Sequence, residues 1–417
     1  MQRVILLSKI QSVNRELSVM NIIFLTMSSF TSLNVHNIYS DLMEEYIANG
    51  HRPYIVVPRE NKTGEETELV DMGSYSVLKV AVGDMSNVSV IKKGISTILF
   101  SNQFYHAINK YLGDKEFGLI LYSTPPITLA GTVKKLKKHF RCKTYLMLKD
   151  IFPQNAVDLG MFSKSGILYK YFRYIEKMLY KTSDWIGCMS DANVEYVKKH
   201  NPQIKEDKIE ICPNAIRPQN VKHDQNVEIR KKYGIPENAI VFMYGGNLGK
   251  PQGIPFIIEC IDKIKDYRDV FLVVCGSGSE YHRLDDFKRK KDIKNWILIQ
   301  GLPKNEYDLL LSACDVGLIF LDNRFTIPNF PSRVLSYMEQ SMPVLACTDT
   351  ATDIGKIITE GKFGWWCQSN DSDAFAKLCR EIVQKKYELS EYGRNGRKFL
   401  EEYYHAEIAF KIIQNHF

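Results

Sequence analysis

The chain has 417 residues, and this length suggests roughly two or three domains. Apolar residues make up 45% of it and charged residues 25%, a balance that excludes a disordered or collagen-like protein. The formal charge of +7 at pH 7 is a modest basic excess. It is compatible with an anionic membrane, a nucleic acid or a phosphorylated ligand, and it selects none of them.

Three further features bear on the class of protein and its location: the N-terminus, the apolar runs and the cysteines. Residues 1–19 show no helix or strand pattern and no secretory signal, so Met20 is a candidate start, with a short disordered extension as the alternative. No apolar run approaches the roughly 18–20 residues of a membrane-spanning helix. The nine cysteines form no C-x-x-C pair, so we expect reduced thiols and a cytoplasmic location.

From Met20 onward, short apolar runs alternate with amphipathic stretches. In the first half we predict strands at residues 21–27, 53–57, 77–82, 119–121 and 144–148, with helices at 37–49, 93–112 and 127–140. In the second half we predict strands at 239–244, 271–275, 296–300, 316–320 and 343–346, with helices at 253–267, 306–313, 333–340, 372–385 and 391–414. This alternation predicts an α/β protein with two largely parallel sheets. The polar, proline-containing segment 200–237 is expected to connect them.

The glycine-rich segment at residues 245–253 is the most informative motif. A predicted strand leads into four glycines within nine residues, and a predicted helix follows. Glycines permit close backbone approach, and the N–H groups at a helix start attract anions. With the charge of Lys250 nearby, the segment favours a diphosphate, and an ordinary strand-to-helix turn is the alternative. By contrast, no glycine follows the first strand, which argues against an N-terminal dinucleotide-binding domain.

Arg333 marks a second candidate anion site. Ser332 can cap the helix predicted to begin there, with Arg333 in its first turn. A cation at this end of a helix is unfavourable for the helix dipole, and a bound phosphate would compensate for it. A solvated surface arginine is the alternative.

These motifs, in this order, resemble the family 4 glycosyltransferases of the GT-B fold. The second half is similar to their donor domain at residues 246–253, 273–278, 300–303 with 309–318, and 331–346, and Pro213-Asn214-Ala215 resembles the entry to that domain. The first half is more loosely similar to their acceptor domain. The resemblance is closest to members that build bacterial capsule, exopolysaccharide and O-antigen.

The resemblance implies two Rossmann-like domains with parallel sheets facing a central cleft. It places an acceptor domain at residues 20–213, a donor domain at 214–394 and a C-terminal helix at 395–417 that returns to the first domain. The implied reaction transfers a hexosyl or N-acetylhexosaminyl group, with retention, from a nucleotide diphosphate sugar, expected to be UDP-linked, to a lipid-linked glycan. No metal or other cofactor is expected, and no nucleic acid.

The chain departs from the family pattern at the donor site. Many members carry an arginine and a lysine where this chain has Asn247 and Gln252, and a pair of glutamates near the positions of Pro328 and Ser336. Pro331-Ser332-Arg333 fits a subgroup of polysaccharide transferases instead. The missing glutamate pair leaves open a non-catalytic partner subunit. A sugar-nucleotide 2-epimerase of the same fold is the other alternative.

Candidate site residues follow from these motifs, from the loop after the first strand and from the family pattern. Lys250 and Arg333, with the N–H groups of Gly249 and Ser332, are expected to stabilise the leaving diphosphate. Asp150 is expected to orient the acceptor hydroxyl or act as a base, with a structural turn or cap as the alternative. Donor contacts are expected from Gly246, Asn247, Gly249, Gln252, Gly276, Gly278, Leu302, Pro331, Ser332 and Ser336. Acceptor contacts are expected from Ser28, Ser29, Asn34 and His36, in the loop after the first strand.

Two basic segments favour peripheral contact with the inner face of an anionic cell membrane. Residues 134–143 carry six lysines and arginines, and residues 164–181 interleave lysines and arginines with aromatic and aliphatic side chains. A solvated helix face is the alternative. The Asp-x-Asp motif at Asp371 opens a late helix, where capping is its expected role.

Overall fold

The computed structural model of the protein describes residues 19–28, 32–60, 64–83, 90–220 and 227–417. The chain divides into two compact units. The first comprises the described residues up to Arg217 together with His405–Phe417, and the second is Pro218–Tyr404. The family-based boundaries lie four residues earlier, at 213, and ten residues earlier, at 394.

The first unit is built on a sheet that, within the described ranges, has eight strands in the order β3-β4-β2-β1-β5-β6-β7-β8. All neighbouring strands are parallel except β3 and β4. The strands are β1 (Asn21–Leu25), β2 (Arg52–Glu60), β3 (Glu68–Asp71), β4 (Ser76–Val82), β5 (Leu119–Ser123), β6 (Lys143–Leu148), β7 (Trp185–Cys188) and β8 (Ile209–Ile211). The helices are α1 (Ile38–Ala48), α2 (Val90–Leu112), α3 (Leu129–Phe140), α4 (Gln154–Asp158), α5 (Ile167–Thr182) and α6 (Asp191–His200), with a 3₁₀ turn at Glu206–Lys208.

The second unit has an all-parallel sheet whose order, over the part of the chain described, is β11-β10-β9-β12-β13-β14. Its strands are β9 (Ile240–Asn247), β10 (Val270–Ser277), β11 (Trp296–Gln300), β12 (Val316–Phe320), β13 (Val344–Thr348) and β14 (Gly364–Gln368). Its helices are α7 (Val227–Lys232), α8 (Ile254–Lys263), α9 (Tyr281–Lys290), α10 (Lys304–Ser312), α11 (Arg333–Glu339), α12 (Ile354–Glu360), α13 (Ser372–Gln384) and α14 (Leu389–Tyr403). Short 3₁₀ turns lie at Lys250–Gln252 and Lys386–Glu388.

The central strands of both sheets are apolar over most of their length because helices cover both faces. In β1, Ile22 and the three residues after it are fully buried, and β12 is buried from Val316 to Phe320. Such continuous apolar runs are typical of parallel strands, and they explain why the predicted strands match the observed ones closely. The prediction of two largely parallel α/β sheets is confirmed.

Three sequence predictions differ from the structure. The segment 200–237 is not only a connection, because it contains β8, whose Ile209 and Glu210 are buried against the first sheet. The predicted helix 391–414 is two helices, α14 and α15 (Ala406–Gln414), because the chain leaves helical geometry at Tyr404 and His405 starts the second helix as its N-cap. The short strands β3, β7 and β14 were not predicted.

The last thirteen residues belong to the first unit. His405 forms a β-bridge with Ile216, and α15 packs on α1. The ring of Phe410 meets that of Tyr46 edge-on, with 4.9 Å between their centres. α14, in contrast, packs on α11 in the second unit.

Each sheet has one position where the chain order reverses. In the first sheet this position lies between β1 and β5, and in the second it lies between β9 and β12. In open parallel sheets, ligands bind beyond the carboxyl ends of the strands at such a reversal. The glycine-rich turn follows β9, and the predicted acceptor loop follows β1. The fold therefore places both candidate sites where ligand binding is expected.

All nine cysteines lie in the described ranges, are buried and form no disulfide. Among the helices that the structure describes, none is both long and apolar enough to cross a bilayer.

Candidate active site

The glycine-rich turn after β9 is shaped by close contacts between strand ends. Gly246 has φ 125°, a conformation that L side chains rarely adopt. It pairs with Gly276 on β10, and a Cβ on Gly276 would overlap the Gly246 carbonyl oxygen. The N–H of Leu248 donates to the Ser277 carbonyl oxygen (2.8 Å), and that of Gly301 to Gly276 (3.1 Å). The carboxyl ends of β9, β10 and β11 thus form one glycine-lined edge.

A side-chain brace closes this turn. The buried Gln252 accepts hydrogen bonds from Asn247 Nδ2 (3.0 Å) and from the N–H of Gly249 (3.1 Å) through Oε1. The expectation that the Gly249 N–H is free for an anion is therefore wrong, because Gln252 already accepts from it. Lys250 is exposed and makes no ion pair among the residues described.

Arg333 lies over the same turn. Its guanidinium is 4.3 Å from the centre of the Tyr244 ring, and a Cβ on Gly246 would lie 3.3 Å from its Nη2. Its Nη1 is buried without a hydrogen-bond partner, and it pairs with no carboxylate in the described part of the chain. A half-buried guanidinium without a counter-ion, held against a glycine turn, has the geometry of an anion site.

Two more tyrosines support Arg333 from the protein side. Tyr337 is buried, and its hydroxyl lies within hydrogen-bond distance of the carbonyl oxygens of Met243 (3.1 Å) and Leu318 (3.0 Å). Burial raises the pKa of Tyr307 well above its usual value, so this ring stays neutral. The ring of Tyr307 occupies the space where a Cβ on Gly245 would lie. The cation is therefore enclosed by neutral aromatic groups.

The remaining predicted donor residues are less closely connected with Arg333 and the glycine-rich turn. Gly278 packs on the Leu248 carbonyl, and Leu302 and Pro331 are half-buried. Ser332 and Ser336 are exposed. The predicted cap at Ser332 is wrong, because its backbone is already helical and its side chain makes no capping bond.

In the first unit, Asp150 follows β6 and is held by its neighbours. Asn155 Nδ2 donates to both carboxylate oxygens, at 2.8 and 3.0 Å. The Thr124 hydroxyl, beyond the end of β5, accepts from the N–H groups of Lys149 (3.0 Å) and Asp150 (3.2 Å). Burial raises the pKa of Asp150 to about 6, against the opposing hydrogen bonds of Ile151 and Asn155. A carboxyl with this pKa can accept a proton near neutral pH.

The loop after β1 is only partly suited to its expected role. Ser28 is half-buried, Asn34 is exposed, and Ser29 lies outside the described residues. His36 Nδ1 is 2.9 Å from Asp41 Oδ2, which also accepts from the N–H of Arg217 (2.7 Å). His36 therefore contacts the same carboxylate that holds Arg217, the last residue of the first unit's main segment. This contact gives His36 a structural role.

Sequence analysis missed Lys149, which lies beside Asp150. Its Nζ is buried with no hydrogen-bond partner in the ranges described, and burial lowers its pKa to about 8. The only signal in the sequence was a charged pair directly after a buried strand. Tyr244 was missed as well, because an aromatic residue in an apolar run is indistinguishable from core.

The two basic segments form neighbouring helices, since α3 packs against α5. In α3, Lys137 is engaged by Asp184 (2.8 Å), while Lys134 and Lys138 are exposed. α5 differs because it also exposes apolar side chains. We call Ile167, Tyr171 and Tyr174 the α5 stripe; they are 85, 44 and 66% exposed and share one face of the helix.

Residues 225–399 match the family model described as "Glycosyl transferases group 1". The match covers less than half of the chain and shows that the second unit is similar to this family. The matched residues include the glycine-rich turn, Arg333 and the six strands described for the second sheet.

Individual relatives agree with this assignment. The chain is 26% identical over 297 residues to the probable glycosyltransferase WbjE of Pseudomonas aeruginosa, covering 70% of this chain and 72% of WbjE. It is 21% identical over 259 residues to WcaI of Escherichia coli, which is named for colanic acid biosynthesis, covering 60% of this chain and 61% of WcaI.

Solved structures resemble the chain over most of its length. Sucrose-phosphate synthase from Thermosynechococcus elongatus aligns with a TM-score of 0.71 at 15% identity, covering 94% of this chain and 97% of that one. HepE from Anabaena, solved with UDP-glucose, aligns with a TM-score of 0.68 at 13% identity, covering 94% and 98%. The fold is GT-B, as the sequence resemblance implied, and the findings together support a glycosyltransferase.

Proposed function

We propose that the protein transfers a sugar from a UDP-linked donor to a lipid-linked glycan acceptor in the synthesis of a surface polysaccharide. The observation that carries the donor part is Arg333, which lies over Tyr244 and against Gly246 and, among the residues described, has no counter-ion. The structure of HepE with UDP-glucose is in keeping with such a donor. The motif at residues 331–333 and the similarity to WcaI support the polysaccharide part.

Sugar transfer from a UDP-linked donor requires stabilisation of the leaving diphosphate. As the glycosidic bond to the donor breaks, negative charge develops on the diphosphate, and a prepositioned cation in a partly dry site stabilises it most strongly. Arg333 is fixed in place by the ring of Tyr244 and therefore needs no reorganisation. Lys250 is exposed, so solvent and salt screen its charge and it supplies a weaker contribution.

Asn247 and Gln252 replace the cationic pair of many family members, and they bond to each other. This neutral brace shapes the turn without adding charge. We infer that Arg333 stabilises the charge of the diphosphate in place of that cationic pair. The brace keeps Gly246 in its positive-φ conformation.

For the acceptor we propose Asp150 in the first unit. Its raised pKa and its fixed orientation through Asn155 suit a group that receives or holds the proton of the attacking hydroxyl. The transferred group is proposed to be a hexosyl or N-acetylhexosaminyl residue, with retained configuration.

A lipid-linked acceptor requires the enzyme to reach a membrane. The α5 stripe and the exposed lysines of α3 and α5 give one unit both apolar and basic surface, which suits the interface of an anionic bilayer. In vesicle co-sedimentation, we expect binding to anionic but not to neutral vesicles, fading as salt shortens the Debye length from about 10 Å at 0.1 M to about 3 Å at 1 M. Equal binding to both vesicle types would contradict this part.

The test of the reaction is a panel of nucleotide sugars incubated with the full chain, with released nucleoside diphosphate as the readout. We expect one UDP-sugar to give UDP release that a lipid-linked acceptor accelerates. A change in sugar configuration without such release would indicate an epimerase. No turnover with any donor, together with donor binding, would indicate a non-catalytic subunit.

A further inference from the structure

A surface cavity of about 710 Å³ lies in the first unit, where the C-terminal half of α5 meets the segment that leads into β8. Lys177 and Lys181 of α5 line one side, and Lys205 and Lys208 line the other. Tyr180 and Ile204 add apolar surface. The volume is in the range of pockets that hold small ligands.

The charges around this cavity are not balanced. Carboxylates are absent from its lining residues, and Lys177, Lys181 and Lys205 form no ion pair in the part of the chain that the structure describes. Lys208 Nζ donates to the Ser183 carbonyl oxygen (3.4 Å). Glu206, on the same turn, lies 3.4 Å from Lys198 instead. Four lysines around one space repel each other, and a bound anion would relieve that repulsion.

The cavity continues an exposed apolar surface. The α5 stripe runs along the N-terminal half of the helix, and Lys177 and Lys181 follow on the solvent side of its last turns. A helix that lies in a bilayer interface buries such a stripe among the lipid chains and places its cations at headgroup level. The cavity would then open at the depth of the lipid phosphates.

We propose that this cavity binds the phosphate of an anionic membrane lipid while the α5 stripe enters the interface. The inference rests on the proposed membrane-associated function and adds a specific ligand class to it. Four lysines favour a phosphate with more than one negative charge over a singly charged phosphodiester. The cavity is thus a recognition site, and the lysines of α3 supply general attraction.

The test compares vesicles of phosphatidylcholine that contain either phosphatidic acid or phosphatidylglycerol at matched surface charge. The full chain should prefer phosphatidic acid. The cavity variant Lys205→Gln/Lys208→Gln should bind those vesicles about tenfold more weakly, since each well-placed lysine contributes on the order of a factor of several, and should lose the preference. The matched control Lys134→Gln/Lys138→Gln on α3 removes the same charge and should weaken both vesicle types equally while keeping the preference.

Equal effects of the two double variants, or no preference in the unmodified chain, would overturn the proposal. A second variant from the opposite wall, Lys177→Gln/Lys181→Gln, must also abolish the preference, so that a local folding defect of one variant does not decide the result. Calorimetric titration with inorganic diphosphate is the soluble arm. The cavity variants could lose diphosphate binding and still prefer phosphatidic acid vesicles. That result would assign the cavity to a soluble anion and overturn the lipid claim.

UDP release in the absence of vesicles separates this inference from the proposed function. Cavity variants should keep the full rate of release with a soluble acceptor. A chain that turns over no donor but retains its cavity-dependent preference would refute the transferase and leave the lipid site standing.

Discussion

The guanidinium of Arg333 lies 4.3 Å from the centre of the Tyr244 ring, and Tyr244 is the residue from which the chain enters the glycine-rich turn. The contact joins the start of α11 to the end of β9. It explains why a cation is tolerated in the first turn of a helix, where the dipole disfavours it: the aromatic face attracts the guanidinium. The same contact leaves Nη1 buried and unbonded within the described residues, ready for an anion.

Gly246→Ala tests how closely the turn and Arg333 are fitted. The alanine must adopt φ near 125°, and its Cβ would lie 3.3 Å from Arg333 Nη2. We therefore expect a stability loss of about 1–3 kcal/mol and a loss of UDP affinity. Gly234→Ala is the control, because Gly234 also has positive φ but nothing within 4 Å of its Cβ position. It should lose about 1 kcal/mol of stability and keep its UDP affinity. Unchanged UDP binding by Gly246→Ala would separate the turn from the donor site.

Asp150 should control the pH dependence of transfer. Its pKa of about 6 predicts that kcat/KM rises as pH increases through 6, because a base must be ionised. Asn155→Ala removes two hydrogen bonds that favour the ionised form, so the rise should move to higher pH. If Asp150 were purely structural, Asn155→Ala would lower the rate of transfer and leave its pH profile unchanged.

The same shift affects stability in a defined direction. The pKa of Asp150 is raised from 3.8 in the unfolded chain to about 6 in the fold, so ionisation favours the unfolded state as pH rises from about 4 to 6. Asp150→Asn should remove this part of the pH dependence. Urea unfolding of both proteins across that pH range measures the difference.

The return of the C-terminus should be essential for the first unit. Phe410 is 3% exposed and packs on Tyr46, so Phe410→Ala should lower the unfolding free energy of that unit by about 3–5 kcal/mol. Tyr387→Ala removes an aromatic ring that is 86% exposed and should change stability by less than about 0.5 kcal/mol. Scanning calorimetry of both variants makes the comparison. Similar transitions for Phe410→Ala and the unmodified chain would show that the contact contributes little.

Much of the fold could be predicted from sequence because buried parallel strands carry a signal of their own. β11 and β12 match their predicted bounds, and the helix at Ile38–Ala48 ends one residue inside its predicted limits at each end. β14 was missed because it is a short run that begins at Gly364, and glycine is disfavoured in strands. The break between α14 and α15 was missed because apolar spacing continues across it, while the bridge from His405 to Ile216 depends on residues far apart in sequence.

The sequence singled out Gly246 and Arg333, but it did not predict Lys149, Tyr244 or how these residues are arranged. Gly246 and Arg333 each carried a local signal, a glycine cluster and a cation at a helix start. Their contact through Tyr244 depends on how α11 packs beside β9, which no local pattern encodes. The bond between Gln252 and the Gly249 N–H was also hidden, and it removed a donor that the motif had suggested.

The most direct test of the donor site is a calorimetric titration of UDP and of uridine into the unmodified chain, Arg333→Gln and Lys250→Gln. Arg333→Gln should weaken UDP binding by about 10–100-fold, the value of a charge-assisted bond in a partly buried site, and leave uridine binding unchanged. Lys250→Gln should show a smaller loss in the same direction. Arg289→Gln, at an exposed arginine of the second unit, is the control and should bind both ligands normally. Equal losses for UDP and uridine in Arg333→Gln would contradict the assignment of this residue to the diphosphate.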